Sequence, residues 1–198
     1  GINTFRWTIP GGACPSVFDD VIISVHATPT IAAAGPDQTI CSTTSTLQGN
    51  SPAIGIGLWT VITGSATFAN ASLATTSISG LPAGANTLRW TISNGVCPAS
   101  TDDVVITVQP NPVTPNAGPD QTICSSNATL AATATSGGIW SLISGSGSFT
   151  NASLANTAVT SLSTGINTFR WTIPGGACPS VFDDVIITVQ ASPTISSA

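Results

Sequence analysis

Residues 84–108 read GANTLRWTISNGVCPASTDDVVITV, and two strands are legible in them. In 86–93 the apolar residues Leu88, Trp90 and Ile92 alternate with Arg89 and Thr91, so the two sets point to opposite faces of an extended chain. In 102–108, Val104, Ile106 and Val108 share one face in the same way. Between them stands Asn94-Gly95, the dipeptide that favours the two-residue type I′ turn of a β-hairpin. The expectation is a hairpin with one apolar face and one polar face.

The same hairpin recurs on either side. Residues 1–23 and 165–187 are identical, and the match extends to 29 of 34 positions over 1–34 and 165–198, with changes at 24, 26, 28, 32 and 33 of the first copy. The copy at 84–117 keeps 17 of those 34 positions. Upstream, AGPDQTIC occurs at 34–41 and 117–124, and FANASLA at 68–74 answers FTNASLA at 149–155. Equivalent positions lie 81 to 83 residues apart, and the repeats alternate between two types with a super-period of 164. Fixed self-similarity of this kind marks an array of like units. Residues 1–30 read as the C-terminal part of a truncated repeat, 31–113 and 114–192 as complete repeats, and 193–198 as the start of the next. The chain is expected to be a section of a longer array.

Further short β-rich runs, LWTVIT (58–63), DQTI, TSTLQG, ATFAN and TTSISGL, are separated by Gly, Pro, Asn and Ser, and no stretch carries a helical period. In LWTVIT, Trp59 and Val61 are expected on a common side. About seven short strands in some 80 residues predict an all-β fold of tandem immunoglobulin-like β-sandwiches. Trp59 and Trp90 in one repeat, and Trp140 and Trp171 in the other, are the expected core anchors, with Trp7 their counterpart in the truncated copy. The segments 25–37 and 108–120 join the repeats. They contain proline and are nearly uncharged, so they are expected to act as semi-rigid spacers, and the array as an extended rod.

Composition bounds the function. The chain has 3 Arg, no Lys, 8 Asp, no Glu and a formal net charge of −5, with 6% of residues charged. Such a chain is a poor partner for nucleic acid or an anionic membrane surface, and it contains no apolar run long enough for membrane insertion. The single histidine, His26, lies in a linker and is Gln190 in the other copy. Without Lys, Glu or a Ser-His or Cys-His arrangement, the chain has no means of activating a nucleophile, so it does not read as an enzyme. No catalytic or cofactor-binding residue is assigned. Asn70, Asn127 and Asn151 head Asn-x-Ser/Thr sequons and read as turn residues.

The charged residues fall in two groups. Arg89 and Arg170, with Arg6 in the partial copy, occupy one outward strand position, and the Asp pairs 19–20, 102–103 and 183–184 open the following strand. A hairpin salt bridge is expected, Arg89 with Asp102 and Arg170 with Asp183. The alternative is a calcium site built from Asp37 or Asp120 and a neighbouring pair, Asp102 and Asp103 or Asp183 and Asp184. Calcium takes six to eight oxygens, for which three carboxylates per repeat are thin provision.

Five cysteines, Cys14, Cys41, Cys97, Cys124 and Cys178, fall two to a repeat plus one in the truncated copy. With no Cys-x-x-Cys and a single His they do not suggest zinc, and their regular use suits an oxidised, exported protein. Two pairings compete. Within repeats, Cys41 would bond Cys97 and Cys124 would bond Cys178. Between repeats, Cys41 would bond Cys178. In a sandwich, Cys41 follows the first strand and Cys97 sits at the opposite end, which tells against the first scheme because a disulfide needs Cα atoms within about 7 Å. A short or displaced first strand would restore it, and free thiols are the third possibility.

AGPDQTIC, the central LWT or IWS, and RWTISNGVCPASTDDVVITV together resemble the tandem PKD-like or Ig-like repeats of giant cell-surface adhesins of gliding Bacteroidota, the SprB-type gliding-motility adhesins. The resemblance spans nearly the whole chain. It implies export through the type IX secretion route, display on the bacterial cell surface, and adhesion to substrata or polysaccharide. The expected function is therefore a structural and adhesive stalk or filament. Its partners would be neighbouring repeats, other copies of the filament or surface polysaccharide. A carbohydrate-binding accessory module of a secreted enzyme is the alternative, against which every Trp falls in a core-facing register.

Overall fold

The computed structural model describes residues 1–133 and 137–192, so the expected start of a further repeat at 193–198 lies outside the described residues. It is all-β, with no helix among the described residues. The partial copy forms one hairpin, β1 (Ile2–Ile9) and β2 (Val17–Ser24), paired over eight positions from Ile2↔Ser24 to Ile9↔Val17.

The first complete repeat contains β3 (Gln38–Ile40), β4 (Ser45–Gln48), β5 (Ile56–Thr63), β6 (Thr67–Phe68), β7 (Thr75–Ser79), β8 (Gly84–Ser93) and β9 (Ser100–Val108). One sheet has the order β3-β9-β8-β5 and the other β4-β7-β6. The strand β3 lies parallel to β9, with Ile40 opposite Val108, and the remaining pairs are antiparallel. The second repeat is built alike from β10 (Gln121–Ile123), β11 (Ala128–Thr129), β12 (Ile139–Ser144), β13 (Ser148–Phe149), β14 (Ala158–Thr160), β15 (Gly165–Ile173) and β16 (Val181–Val189). Its sheets are ordered β10-β16-β15-β12 and β11-β14-β13. This is the two-sheet, seven-strand architecture of an Ig-like sandwich, with the first strand moved beside the last.

Alternation decides what is buried. Along β8, Leu88, Trp90 and Ile92 lie in the core, and along β9, Val104, Ile106 and Val108 join them. Leu47 and Ile78 close the core from the opposing sheet. The second repeat uses Phe169, Trp171, Ile173, Val185, Ile187, Leu130 and Val159. Val61 keeps the side of Trp59, standing opposite Leu88 as Trp59 stands opposite Trp90, but near the end of β5, where the register shifts before Thr63, it is left exposed.

Two tryptophans meet at the centre of each repeat. Trp59 and Trp90 have ring centroids 5.0 Å apart, and Trp140 and Trp171 have theirs 5.1 Å apart, tilted in both cases. All four are at most 2% exposed. Trp59 Nε1 donates to the carbonyls of Leu73 and Ala74, and Trp140 Nε1 to those of Leu154 and Ala155. The pairs fit because a glycine stands beside the ring. A Cβ on Gly57 would lie 2.1 Å from Trp90, and one on Gly138 would lie 2.0 Å from Trp171.

The expected two-residue turn at Asn94-Gly95 is not what joins β8 to β9. Ile92 pairs with Ser100, leaving a longer loop, and Asn94 does not have the positive φ that a type I′ turn requires, although Gly95 does. The Asn94 side chain serves elsewhere, as described below.

Gly57→Ala and Gly138→Ala are expected to lower stability by about 1–3 kcal/mol each, the range for overpacking a tight core. Urea denaturation monitored by tryptophan fluorescence would measure both.

Candidate functional site

Each complete repeat holds the chain segment that leads into it through a set of side chains placed by the hairpin loop and the head of the last strand. In the first repeat the segment is 26–34. Asn94 Nδ2 donates to the Ala27 carbonyl, and Asn94 Oδ1 accepts from Cys97 N at 3.0 Å, which folds the loop around the incoming chain. The Cys97 thiol lies 3.5 Å from the Ala27 carbonyl and 3.8 Å from that of His26. Further along, Ser100 Oγ accepts from Ala32 N at 2.9 Å, Asn50 Oδ1 from Ala33 N at 2.8 Å, and Asp102 Oδ2 from Ala34 N at 2.7 Å. Asp37 Oδ1 then accepts from Val105 N at 2.8 Å, fixing the start of β3 against β9.

The second repeat repeats the arrangement on segment 109–117. The Cys178 sulfur lies 3.5 Å from the Pro110 carbonyl and 3.7 Å from that of Gln109, whose side-chain oxygen accepts from Ala177 N at 2.8 Å. Asp183 Oδ2 accepts from Ala117 N and Asp120 Oδ1 from Ile186 N, both at 2.8 Å. The linkers read as spacers in the sequence are therefore hydrogen-bonded parts of the repeat that follows them.

These contacts account for the aspartates proposed as calcium ligands. Asp37, Asp102, Asp120 and Asp183 each accept a backbone N–H, and Asp103 and Asp184 are held by arginine. Among the described residues no three His, Cys, Asp or Glu side chains gather in a group that could hold a metal ion.

The hairpin salt bridge uses the second aspartate of each pair and not the first. Arg89 grips Asp103 through Nε and an Nη, at 2.7 and 2.8 Å, and Arg170 grips Asp184 at the same distances. Arg6 does so with Asp20, at 2.8 Å twice. The expected partners Asp102 and Asp183 stand opposite Trp90 and Trp171 in the register, on the core-side parity of the strand. Arg89 is opposite Asp103, on the outer parity. That distinction was available in the alternation of DDVVITV. Arg170 also lies 3.5 Å over the Phe182 ring, and Arg6 lies 3.7 Å over Phe18. The guanidinium hydrogen bonds lower the pKa values of Asp20, Asp103 and Asp184 and raise those of their arginines.

Two buried asparagines carry a role that sequence reading missed. Asn86 and Asn167 are fully buried, and each Nδ2 donates to backbone carbonyls: Pro82, Gly84 and Ile106 for Asn86, and Ser163, Gly165 and Ile187 for Asn167. They tie the turn before β8 and β15 to the last strand. A polar residue on the apolar side of the strand, at 86 in NTLRW, was the available signal. The Asn70 and Asn151 side chains accept from Ser72 N and Ser153 N, so both shape turns.

Cys41 and Cys178 are disulfide-bonded, while Cys14, Cys97 and Cys124 carry free thiols, so the bond is Cys41–Cys178. The within-repeat pairs Cys41–Cys97 and Cys124–Cys178 are not formed. Geometry inside one repeat gives the reason. Cys41 follows Ile40, which pairs with the last residue of β9, whereas Cys97 precedes the first. The nine residues of β9 separate the two ends by about 26 Å, far beyond disulfide reach.

No family model matches the chain, and no curated protein sequence matches it. Among solved structures it is similar to the PKD domain from KIAA 1837 protein, at 24% identity over 46% of this chain and 98% of that one, with a TM-score of 0.37. It is also similar to fibronectin(III)-like modules of CbhA from Clostridium thermocellum, at 12% identity over 85% of this chain and 100% of that one, with a TM-score of 0.39. Mouse cadherin-23 EC22-24 matches at 12% identity over 96% of this chain and 74% of that one, with a TM-score of 0.39.

Two outcomes follow. Asp102→Ala and Asp183→Ala should each cost about 1–2 kcal/mol by leaving a buried N–H without its acceptor, and hydrogen exchange should quicken at Ala34 and Ala117 respectively. Separately, Asp103 and Asp184 have folded pKa values below their unfolded ones. Their contribution is present above the ordinary carboxylate value of about 3.9 and is lost as pH falls through the lowered folded value. An acid titration of hairpin amide shifts should show this loss, and Asp103→Asn should remove it from the first repeat only.

Proposed function

We propose that the chain is a load-bearing repeat segment of an extracellular adhesive surface protein, acting as stalk and not as catalyst. The observation that carries this reading is the Cys41–Cys178 bond, which joins cysteines of two different repeats. Chain topology gives it a mechanical meaning. With the bond intact, a pull on the two ends of the chain passes from residue 41 to residue 178 through the sulfurs, and the 136 residues between them bear no load. These include most of both cores. In the chain-entropy account a loop of that size is worth on the order of 4–5 kcal/mol. A disulfide also supports an oxidising, extracellular setting for the protein.

The repeat chemistry supports the same reading. The linkers are hydrogen-bonded parts of the repeats that follow them, and the tryptophans of the complete repeats are buried, which removes the aromatic platform a saccharide-binding module would offer. Among the described residues of the two complete repeats, Phe182 is the one exposed large aromatic, and Arg170 covers it. The resemblance to repeats of gliding-motility adhesins extends the proposal to a bacterial cell-surface stalk exported by the type IX route, with neighbouring repeats, sister filaments or surface polysaccharide as partners.

Single-molecule stretching of the chain from its ends tests the mechanical role. Under oxidising conditions the fully extended length should fall short of that of the reduced chain by about 450 Å, taking roughly 3.3 Å per hidden residue. Cys41→Ser should behave as the reduced protein does. Equal lengths before and after reduction would reject the proposal.

A further inference from the structure

The hairpin β1–β2 matches the stretch that forms β15–β16 at every residue but its last, Ser24 for Thr188, yet its surroundings differ. Phe5, Trp7, Ile9, Val21 and Ile23 are 49–74% exposed, while their counterparts Phe169, Trp171, Ile173, Val185 and Ile187 are at most 6% exposed. Among the described residues β1 and β2 pair only with each other, whereas β15 also pairs with β12, and β16 with β10. The second repeat thus shows what covers this face: the strands β10 to β14, which begin at Gln121 and end at Thr160, placed directly before the hairpin.

The two complete repeats differ in how that set fits. In the second, Gly147 lies against Phe169, and a Cβ on Gly147 would come within 2.8 Å of the Phe169 ring and 2.9 Å of Val159. No positive φ accompanies Gly147, so its side is constrained by space alone. In the first repeat the equivalent positions are Ala66 and Leu88, and both pack in the same core. Large with none, and smaller with small, are matched pairs. Phe5 belongs to the large type.

We infer that the hairpin 1–24 is an acceptor face for a repeat segment of the 114–164 kind, and that the size match between Phe5 and the glycine equivalent to Gly147 selects that segment over one of the 31–83 kind. Residue 164 is followed by Gly165 and residue 83 by Gly84, and Gly1 is equivalent to both, so either segment can be joined to the hairpin at its natural junction. The inference does not rest on the load-bearing reading, since it concerns packing within one repeat.

The test is to place a second copy of residues 114–164 directly before Gly1 of the full chain and to follow amide hydrogen exchange in residues 2–9 and 17–24. Exchange should slow by about 100-fold or more as the hairpin becomes part of a closed core. A copy of residues 31–83 in the same place, or the 114–164 copy carrying Gly147→Ala, should give protection weaker by about ten-fold. Phe5→Leu should restore protection with the alanine-bearing copy, because it recreates the Leu88 and Ala66 pairing. Three results would each overturn the inference: unchanged exchange with the 114–164 copy, equal protection by both segment types, or no rescue by Phe5→Leu. Concentration-dependent pairing of unextended chains that persists after the extension is added would overturn it as well, by showing that a second hairpin is the preferred cover.

Discussion

The fold depends on one contact made twice: a tryptophan of the last-but-one strand, tilted against a tryptophan of its neighbour, over a glycine that leaves room for it. Trp90 and Trp171 lie between the sheets, and each is reached by a partner whose indole N–H is tied to the loop carrying NASLA. Because Trp59 and Trp140 also sit directly opposite Trp90 and Trp171 in the strand register, the pair fixes which residues face which along the hairpin sheet. In a repeat of about 80 residues with few charges, its two buried rings are the largest side chains in the core that offsets chain entropy.

The core was readable because a sheet with one buried face writes itself as period-two alternation. Leu88, Trp90 and Ile92 announced their side, and Val104, Ile106 and Val108 theirs. The reading failed where a choice depended on register. Asp102 and Asp103 are adjacent, and only alternation from Val104 backwards tells which of them shares the outer face with Arg89. Asn94-Gly95 was misread for a related reason. The dipeptide signals a tight turn, but Asn94 is recruited to bind the incoming chain, and the loop is longer than the signal implies. Asn86 carries only the weak signal of a polar residue on the apolar parity of its strand, although a buried amide that holds three carbonyls is among the more constrained residues of the repeat.

The aspartates show how a small charge inventory is spent. In each complete repeat, one of the adjacent pair accepts a backbone N–H from the arriving linker, and the other holds an arginine across the hairpin. The aspartate ahead of β3 or β10 pins that strand to the last one. The same hairpin loop that holds the linker carries the cysteine, so Cys97 and Cys178 rest against equivalent linker carbonyls, one as a free thiol and one in a bond.

Disulfide mapping is the most direct measurement of the central claim that the repeats are joined covalently and not stapled internally. Chymotryptic digestion of the oxidised, alkylated protein cuts between Cys41 and Cys97 and between Cys124 and Cys178. Cys97 and Cys124 share one peptide, because no aromatic residue or Leu lies between them, and fragment sequencing of the linked peptides tells the two apart. The account predicts a linked pair of peptides containing Cys41 and Cys178, with Cys14, Cys97 and Cys124 alkylated. Linked peptides joining Cys41 to Cys97, or Cys124 to Cys178, would contradict it.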